Sequence, residues 1–318
     1  MSDNSRVAHN LPLTVFKAVQ SAVVDAGEIV LQCRGRVRNT GKDTYDLDHS
    51  VRNISGMAKT DADEMAQELI LARMLPFRSV IDVNAEEDTP LTKFFALPSA
   101  TRAKWTLHMD PIDGTAAYLG GKDDFAVGMA LSGHGGIFTH SVILAPARRV
   151  TYVCTPSGAH ITHNGKRKSF VQRSATPSNV VCEKRLLSAS GRRAVIQLGF
   201  VLTEPSSAHL DIIGTAMGTR AAFLYGGSNV HDSLVPLPFA RALGIAPCDR
   251  FGHIITGAHM REKIREGHFV RFHRIPSICY VSPLIPPPIK AALFTILSNS
   301  RNLSPEYLER FSKQEHPV

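Results

Sequence analysis

The stretch that decides the fold of this chain reads WTLHMDPIDGT and runs from Trp105 to Thr115. Residues 104–109 predict a β-strand, and Asp110 and Asp113 follow it, three residues apart, where the strand meets a loop or helix. A junction of this kind aims two carboxylates at one point. Because carboxylate oxygens are the ligands that magnesium prefers, the stretch predicts a metal site at the end of a strand.

The same stretch also carries features that suit a phosphate group. Pro111 fixes the backbone between the two aspartates, and Gly114 permits a tight turn. The amides of Gly114 and Thr115 are then free at the start of a helix, where a phosphate oxygen binds well. A bare D-x-x-D-G pattern is also common in surface turns, but the full six residues after a strand are far more specific.

Two further acidic segments lie upstream. Residues 84–88 follow a predicted strand at 79–83 and place three carboxylates side by side, which repel one another unless water or a metal ion screens them. Asp61 lies near the start of a predicted helix, where a carboxylate is favoured. Taken alone, the first segment is an ordinary acidic loop and the second an ordinary helix cap.

Hydrophobic periodicity predicts the other elements. The first half reads as helices at 13–32 and 59–75, with strands at 79–83, 104–109, 125–131, 138–144, 150–154 and 159–162. In the helix at 59–75 the predicted apolar stripe is Ala62, Met65, Leu69, Ala72 and Leu75. The second half reads as a strand at 194–202 and helices at 216–225, 236–243, 289–298 and 305–311. This mixture predicts a layered α+β architecture.

Composition limits the classes of protein to consider. The chain has 318 residues, 43% of them hydrophobic, which is enough for one large domain or two small ones. No run of 18 apolar residues occurs and the first ten residues are polar, so we expect neither a membrane span nor secretion. The five cysteines are scattered without a C-x-x-C pair, which favours a reducing cytoplasmic location over a disulfide framework.

The net charge is +8 at pH 7, which suits a nucleic-acid binder or an enzyme that attracts anionic substrates. The basic residues form short separate clusters with no basic helix and no stripe interleaved with aromatic residues. We therefore do not expect a nucleic-acid partner, although a polyanion binder remains one of three hypotheses.

Taken together, the motifs resemble those of the inositol monophosphatase superfamily of magnesium-dependent, lithium-sensitive phosphatases. The resemblance covers roughly residues 13–250. The motifs that carry it, in order, are Ala26-Gly27-Glu28-Ile29, Lys59-Thr60-Asp61, Ala85-Glu86-Glu87, Asp110 to Thr115, Phe125-Ala126-Val127, Leu144-Ala145-Pro146 and His231-Asp232. Only the six-residue motif is strong by itself, and the others gain weight from their order.

The resemblance implies an α+β, layered αβαβα sandwich. It also implies a homodimer and a phosphomonoesterase that hydrolyses a small phosphorylated metabolite, such as a sugar or cyclitol phosphate, by in-line attack of a metal-activated water with two or three Mg²⁺ ions. We predict a single phosphatase domain at 1–275, with a metal-site half at about 1–165 and a substrate-side half at about 166–275. A proline-rich break at 283–288 predicts that 276–318 is a proline-rich segment with a helical C-terminal appendage.

The resemblance also implies roles for individual residues. The metal ligands would be Glu86, Asp110, the Ile112 carbonyl, Asp113 and Asp232, with Asp61 holding a labile third ion through water. Glu86 and Thr115 would position and deprotonate the attacking water, and the Gly114 and Thr115 amides would bind phosphate. The substrate side would include Gly214, Thr215, Ala216 and Tyr225.

Several departures from the family pattern concern the substrate. Ala85 replaces a glycine, His231 replaces a tryptophan, and the spacing from Ala216 to Asp232 is shorter than in the family. Alternatives therefore remain open: a 3'(2'),5'-bisphosphate nucleotidase, a histidinol-phosphatase-like activity, and a catalytically impaired relative that acts as a binding or scaffold protein.

Overall fold

The computed structural model describes residues 11, 13–40, 59–96, 103–133, 136–168, 178–255 and 274–300. They divide into two compact units, Met1–Lys168 and Ser169–Val318. The predicted helix at 305–311 lies outside the described residues. None of the described helices is long and apolar enough to cross a lipid bilayer.

The first unit is a seven-stranded sheet with helices packed against it. Its elements are α1 (Leu13–Cys33), α2 (Asp61–Met74), β1 (Ile81–Ala85), α3 (Pro90–Ala96), β2 (Trp105–Asp113), α4 (Thr115–Leu119), β3 (Ala126–Gly133), β4 (Ile137–Ala145), β5 (Val150–Thr155), β6 (Gly158–His163) and β7 (Lys166–Lys168). The strands lie in chain order. Only β1 and β2 are parallel, and the other neighbours are antiparallel.

The core of the first unit lies between α1, α2 and the sheet. The predicted periodicity of α1 is confirmed, since Phe16, Val19, Val23, Ala26 and Val30 are all buried. At about 25 cal/mol per Å² of apolar surface removed from water, the buried valine and phenylalanine side chains stabilise the unit by roughly 1.5–3 kcal/mol each.

The predicted apolar stripe of α2 is wrong. Met65 is 50% exposed and Leu75 is 36% exposed. The helix is turned so that a different face is buried, and that face consists of Ala62, Asp63, Ala66, Gln67, Ile70, Leu71 and Met74. Two polar side chains therefore lie on the buried face of a helix that packs against α1 and β2.

The second unit contains a four-stranded sheet in the order β11-β10-β8-β9. Its elements are β8 (Val180–Lys184), α5 (Ala189–Gln197), β9 (Val201–Thr203), α6 (Ala208–Met217), β10 (Ala222–Asn229), α7 (Val230–Leu234), α8 (Leu237–Ala242), β11 (Arg274–Val281) and α9 (Pro287–Asn299). Strand β8 runs parallel to β9 and β10, whereas β11 runs antiparallel to β10.

Two sequence predictions fail in the second unit. The predicted strand at 194–202 begins as helix α5, because the Ser188 hydroxyl accepts the Gly191 amide hydrogen and caps the helix start. The predicted helix at 216–225 is the end of α6 followed by β10. Helix α6 stops at Gly218, which has φ +82°, a conformation that favours glycine.

The C-terminal residues described by the structure pack against other elements of the second unit. Strand β11 pairs with β10 along its length. Helix α9 buries Leu293 and Leu297 in the same core as Val181 and Leu224. Residues 274–300 therefore pack within the second unit, and the predicted domain division stays a prediction.

A buried histidine in the first unit makes stability depend on pH. His140 lies beside the Phe16 and Trp105 rings, at 4.9 and 5.8 Å between ring centroids, and burial lowers its pKa to about 4. The unfolded chain takes up the proton near pH 6.5, so this stability is complete above that pH and is lost as the pH falls towards 4. The difference amounts to about 3 kcal/mol.

We therefore expect His140→Phe to flatten the decline in stability between pH 6.5 and 4.5, because an apolar ring needs no proton in the unfolded state. Urea unfolding at several pH values measures this. His253→Phe, at a largely exposed histidine, is the control and should leave the profile unchanged. Identical profiles for His140→Phe and the wild type would contradict the assignment.

Candidate metal and phosphate site

The aspartates of the central stretch lie within strand β2, which continues to Asp113 instead of ending at the predicted residue 109. Asp110 pairs with Gly128 and Asp113 with Ala126, so β2 uses one residue more than β3 over this interval. In a regular strand, side chains three residues apart point to opposite faces. The extra residue of this β-bulge restores them to one face, and Pro111, which lacks an amide hydrogen for the ladder, is tolerated there.

Both aspartates are deeply buried, with 2% of Asp110 and 5% of Asp113 exposed. Their carboxylate oxygens lie within 4.8 Å of each other. Two buried carboxylates at this separation repel each other strongly unless a proton or a cation compensates them. The bulge thus builds the paired carboxylates that the sequence predicted.

Glu86 reaches the same place from the neighbouring strand. Strands β1 and β2 are parallel, with Ala85 opposite Met109, so the next residues along the two strands are Glu86 and Asp110. Their carboxylate oxygens also lie within 4.8 Å of each other. The first unit therefore contributes three converging carboxylates from two adjacent strands.

The turn after β2 has the conformation that its glycine predicts. Gly114 has φ +88° and ψ 35°, in the left-handed region, and is the residue before α4. The Thr115 hydroxyl oxygen lies 2.8 Å from the Ile112 carbonyl and 3.4 Å from Asp63 Oδ1. The backbone therefore folds back on itself, and the threonine hydroxyl lies between two acceptors.

Asp63 is a candidate site residue that the sequence analysis does not include. It is 1% exposed, and its Oδ2 accepts hydrogen bonds from the Thr60 amide at 2.8 Å and the Thr60 hydroxyl at 2.7 Å. Its Oδ1 is thereby left facing the Thr115 hydroxyl. Burial raises the pKa of Asp63 to about 7, with further increases from Glu86 and Glu87 that the Thr60 hydrogen bonds oppose.

Asp61, which the sequence analysis predicted to hold a third ion, is exposed in the first turn of α2. The aspartate that contacts Thr115 is Asp63, two residues further on, and the role of Asp61 stays a prediction. One signal was available. Thr60 and Asp63 have the spacing of a capping box, in which the third helical residue reaches back to the N-cap amide.

The predicted metal ligand of the second unit, Asp232, lies just after the end of strand β10, in a short helix. Asp232 is half-buried in the short helix α7. The carbonyl of the preceding residue, His231, accepts a hydrogen bond from His209 Nε2 at 2.8 Å. Since a carbonyl carries no hydrogen, the imidazole must be protonated at Nε2. This bond ties the start of α7 to α6.

The predicted substrate-side residues lie on α6 and β10. Thr215 and Ala216 are fully buried, and the Thr215 hydroxyl donates to the Asp211 carbonyl at 2.9 Å. Gly214 is half-buried, and its carbonyl accepts the Thr219 amide hydrogen. The half-buried Tyr225 ring lies 5.5 Å from the Lys184 ammonium. Contact of these residues with a substrate stays a prediction.

Comparisons with known proteins agree on one family. A family model described as the inositol monophosphatase family matches residues 12–266. The chain is 28% identical over 188 residues to the 3'(2'),5'-bisphosphate nucleotidase CysQ of Escherichia coli O6:H1, covering 58% of this chain and 73% of that protein. The corresponding protein of Escherichia coli K12 is 27% identical over the same length.

Solved structures of similar fold extend over most of the chain. A staphylococcal IMPase-I, crystallised with products, is 16% identical and gives a TM-score of 0.66, covering 94% of this chain and 98% of that one. The extragenic suppressor protein SuhB of Bartonella henselae is 18% identical, with a TM-score of 0.63 and coverage of 90% and 99%. At these identities the likeness establishes the fold.

Proposed function

Because the chain belongs to the inositol monophosphatase family, we propose that it hydrolyses a small phosphorylated metabolite with Mg²⁺ held by Glu86, Asp110 and Asp113. The resemblance predicted from the sequence is confirmed, as are the α+β fold and the class of activity: the chain is a metal-dependent phosphatase of small phosphorylated substrates. The proposal concerns the ion, the ligands and the substrate.

The observation that carries the proposal is the convergence of three carboxylates from β1 and β2, two of them deeply buried. The donors that the first unit contributes are all oxygens, the ligands that Mg²⁺ prefers. The Ile112 carbonyl accepts from Thr115 with one lone pair and keeps a second for a cation. From the second unit, we propose Asp232 as a further ligand, on the family resemblance.

The residues of the first unit divide the chemistry between them. When bound, divalent cations lower the pKa of water and compensate charge on the phosphate oxygens. The Thr115 hydroxyl, whose single hydrogen lies within reach of the Ile112 carbonyl and of Asp63, presents a lone pair to water. Glu86 accepts the proton of that water. The amides of Gly114 and Thr115, at the start of α4, donate to the phosphate.

A second candidate substrate class has its own support. The curated relatives that match this chain are 3'(2'),5'-bisphosphate nucleotidases. We therefore propose nucleoside 3',5'-bisphosphates as the alternative to sugar and cyclitol phosphates. We further propose a cytoplasmic homodimer with two or three Mg²⁺ ions.

A phosphate-release screen over both substrate classes, with and without Mg²⁺, tests the function. We expect turnover on at least one compound that stops when the cation is chelated. Asp113→Ala should reduce it by about a thousand-fold, since a lost ligand removes several kcal/mol of transition-state stabilisation. Asp123→Ala, at an exposed aspartate after α4, is the control. A broad panel without metal-dependent turnover would favour the impaired relative acting as a binding protein.

A further inference from the structure

Helix α2 presents two buried polar side chains on one face. Asp63 and Gln67 are four residues apart, about one helical turn, so they lie one above the other. Asp63 faces the Thr115 hydroxyl. Gln67, which is 0% exposed, faces the residues that follow β1.

The Gln67 amide forms a matched pair of hydrogen bonds with the backbone of a single residue. Its Oε1 accepts the Glu87 amide hydrogen at 2.9 Å, and its Nε2 donates to the Glu87 carbonyl at 2.6 Å. The side chain thus occupies both backbone groups of Glu87, as a neighbouring strand would. Glu87 immediately follows Glu86, so the clamp fixes the backbone at the proposed ligand.

Further contacts extend the clamp along the same segment. Gln67 Nε2 lies 2.9 Å from the Thr92 hydroxyl and 3.2 Å from the Thr89 hydroxyl, and Thr92 also donates to the Glu87 carbonyl. The next residue of the helix, Glu68, accepts the Leu91 amide hydrogen at 2.9 Å. Residues 87–92 are therefore bound to α2 through several independent hydrogen bonds.

We propose that Gln67 is a positioning residue for Glu86, an inference that rests on the proposed role of Glu86 as a cation ligand. Through Asp63 and Gln67, one face of α2 contacts both Thr115 and the backbone beside Glu86, and so fixes their positions relative to each other. Asp63 orients the Thr115 hydroxyl, and Gln67 orients the carboxylate that shares the cation with Asp110. Simple satisfaction of a buried amide would require fewer bonds, and they need not converge on the residue beside a ligand.

Gln67→Met is the direct test, because methionine has the same length but neither donates nor accepts comparably. We expect the affinity for Mn²⁺, measured by calorimetry on the metal-free protein without substrate, to fall by about ten-fold or more. The Mg²⁺ concentration for half-maximal phosphate release should rise in parallel. Gln67→Glu keeps the acceptor for the Glu87 amide and loses the donor to the Glu87 carbonyl. Its Mn²⁺ affinity should therefore lie between those of the wild type and Gln67→Met.

Ile70→Val is the matched control on the same buried face of α2. It should lower the melting temperature and leave Mn²⁺ affinity within about two-fold of the wild type. If Gln67→Met lowers only the melting temperature, as Ile70→Val does, the role is structural and the inference is wrong. Should Gln67→Met not fold, unchanged affinity in both Gln67→Glu and Thr92→Val would overturn it. Wild-type protein that binds no cation would refute the proposed function itself.

Discussion

Replacing Asp110 with asparagine is expected to lower phosphate release by about a thousand-fold or more. The Asp110 carboxylate lies within 4.8 Å of oxygens from both Glu86 and Asp113. One substitution should therefore weaken the binding of every cation that these residues share. Loss of charge-compensating cations removes several kcal/mol from transition-state stabilisation. Titration of activity against Mg²⁺ measures the loss.

The melting temperature of the folded protein should show the loss of cation binding without any substrate. Asparagine relieves repulsion among buried carboxylates, so metal-free Asp110→Asn should melt no lower than the metal-free wild type. The rise in melting temperature that a bound cation produces should disappear. Asp82→Asn, at an exposed aspartate on β1, should keep both the rise and the activity. Retention of most activity in Asp110→Asn would exclude Asp110 as a ligand.

The second large effect is expected from Asp63→Asn, which should reduce turnover by about 10²- to 10⁴-fold, the usual contribution of a group that directs proton transfer. The side-chain oxygen of asparagine can still accept the two hydrogen bonds from Thr60. Its amide group would then face Thr115 and donate to it. The threonine hydroxyl could no longer donate in that direction, and its lone pair would be occupied.

Asp61→Asn provides a comparison within the same helical turn. Asp61 is exposed, so this variant should retain nearly full activity. Thr115→Val should resemble Asp63→Asn, and the double variant should be little worse than either single one, because the two groups act as a unit. The opposite ranking, with Asp61→Asn inactive and Asp63→Asn active, would restore the assignment made from the sequence.

Some contacts that position the carboxylates can be predicted from the sequence, and others cannot. The pairing of Glu86 with Asp110 follows from two strands with acidic residues at their ends, but their parallel register is a property of the sheet. In the second unit, α5 was mistaken for a strand, since the segment is short and its apolar residues fit either period. The Ser188 cap and the packing of Val195 in the core of the second unit decide that this segment is a helix.

The six residues from Asp110 to Thr115 determined by themselves the local form of the site. Proline disrupts the strand ladder, glycine adopts the left-handed conformation, and threonine bonds back to the carbonyl three residues earlier. The glycine conformation and the threonine bond lie within one short segment, and the proline acts on the neighbouring ladder with β3, so they require little from the rest of the chain. For this reason the sequence was sufficient to predict converging carboxylates and the class of activity.

Tertiary structure alone decided which aspartate of α2 is buried and contacts Thr115. Successive residues of a helix are rotated by about 100°, so Asp61 and Asp63 point about 200° apart, to opposite sides. Both have the same chemistry, and the helix start favours both. Packing of α2 against α1 and β2 fixed its rotation, which buried Asp63 and Gln67 and left Asp61 in solvent.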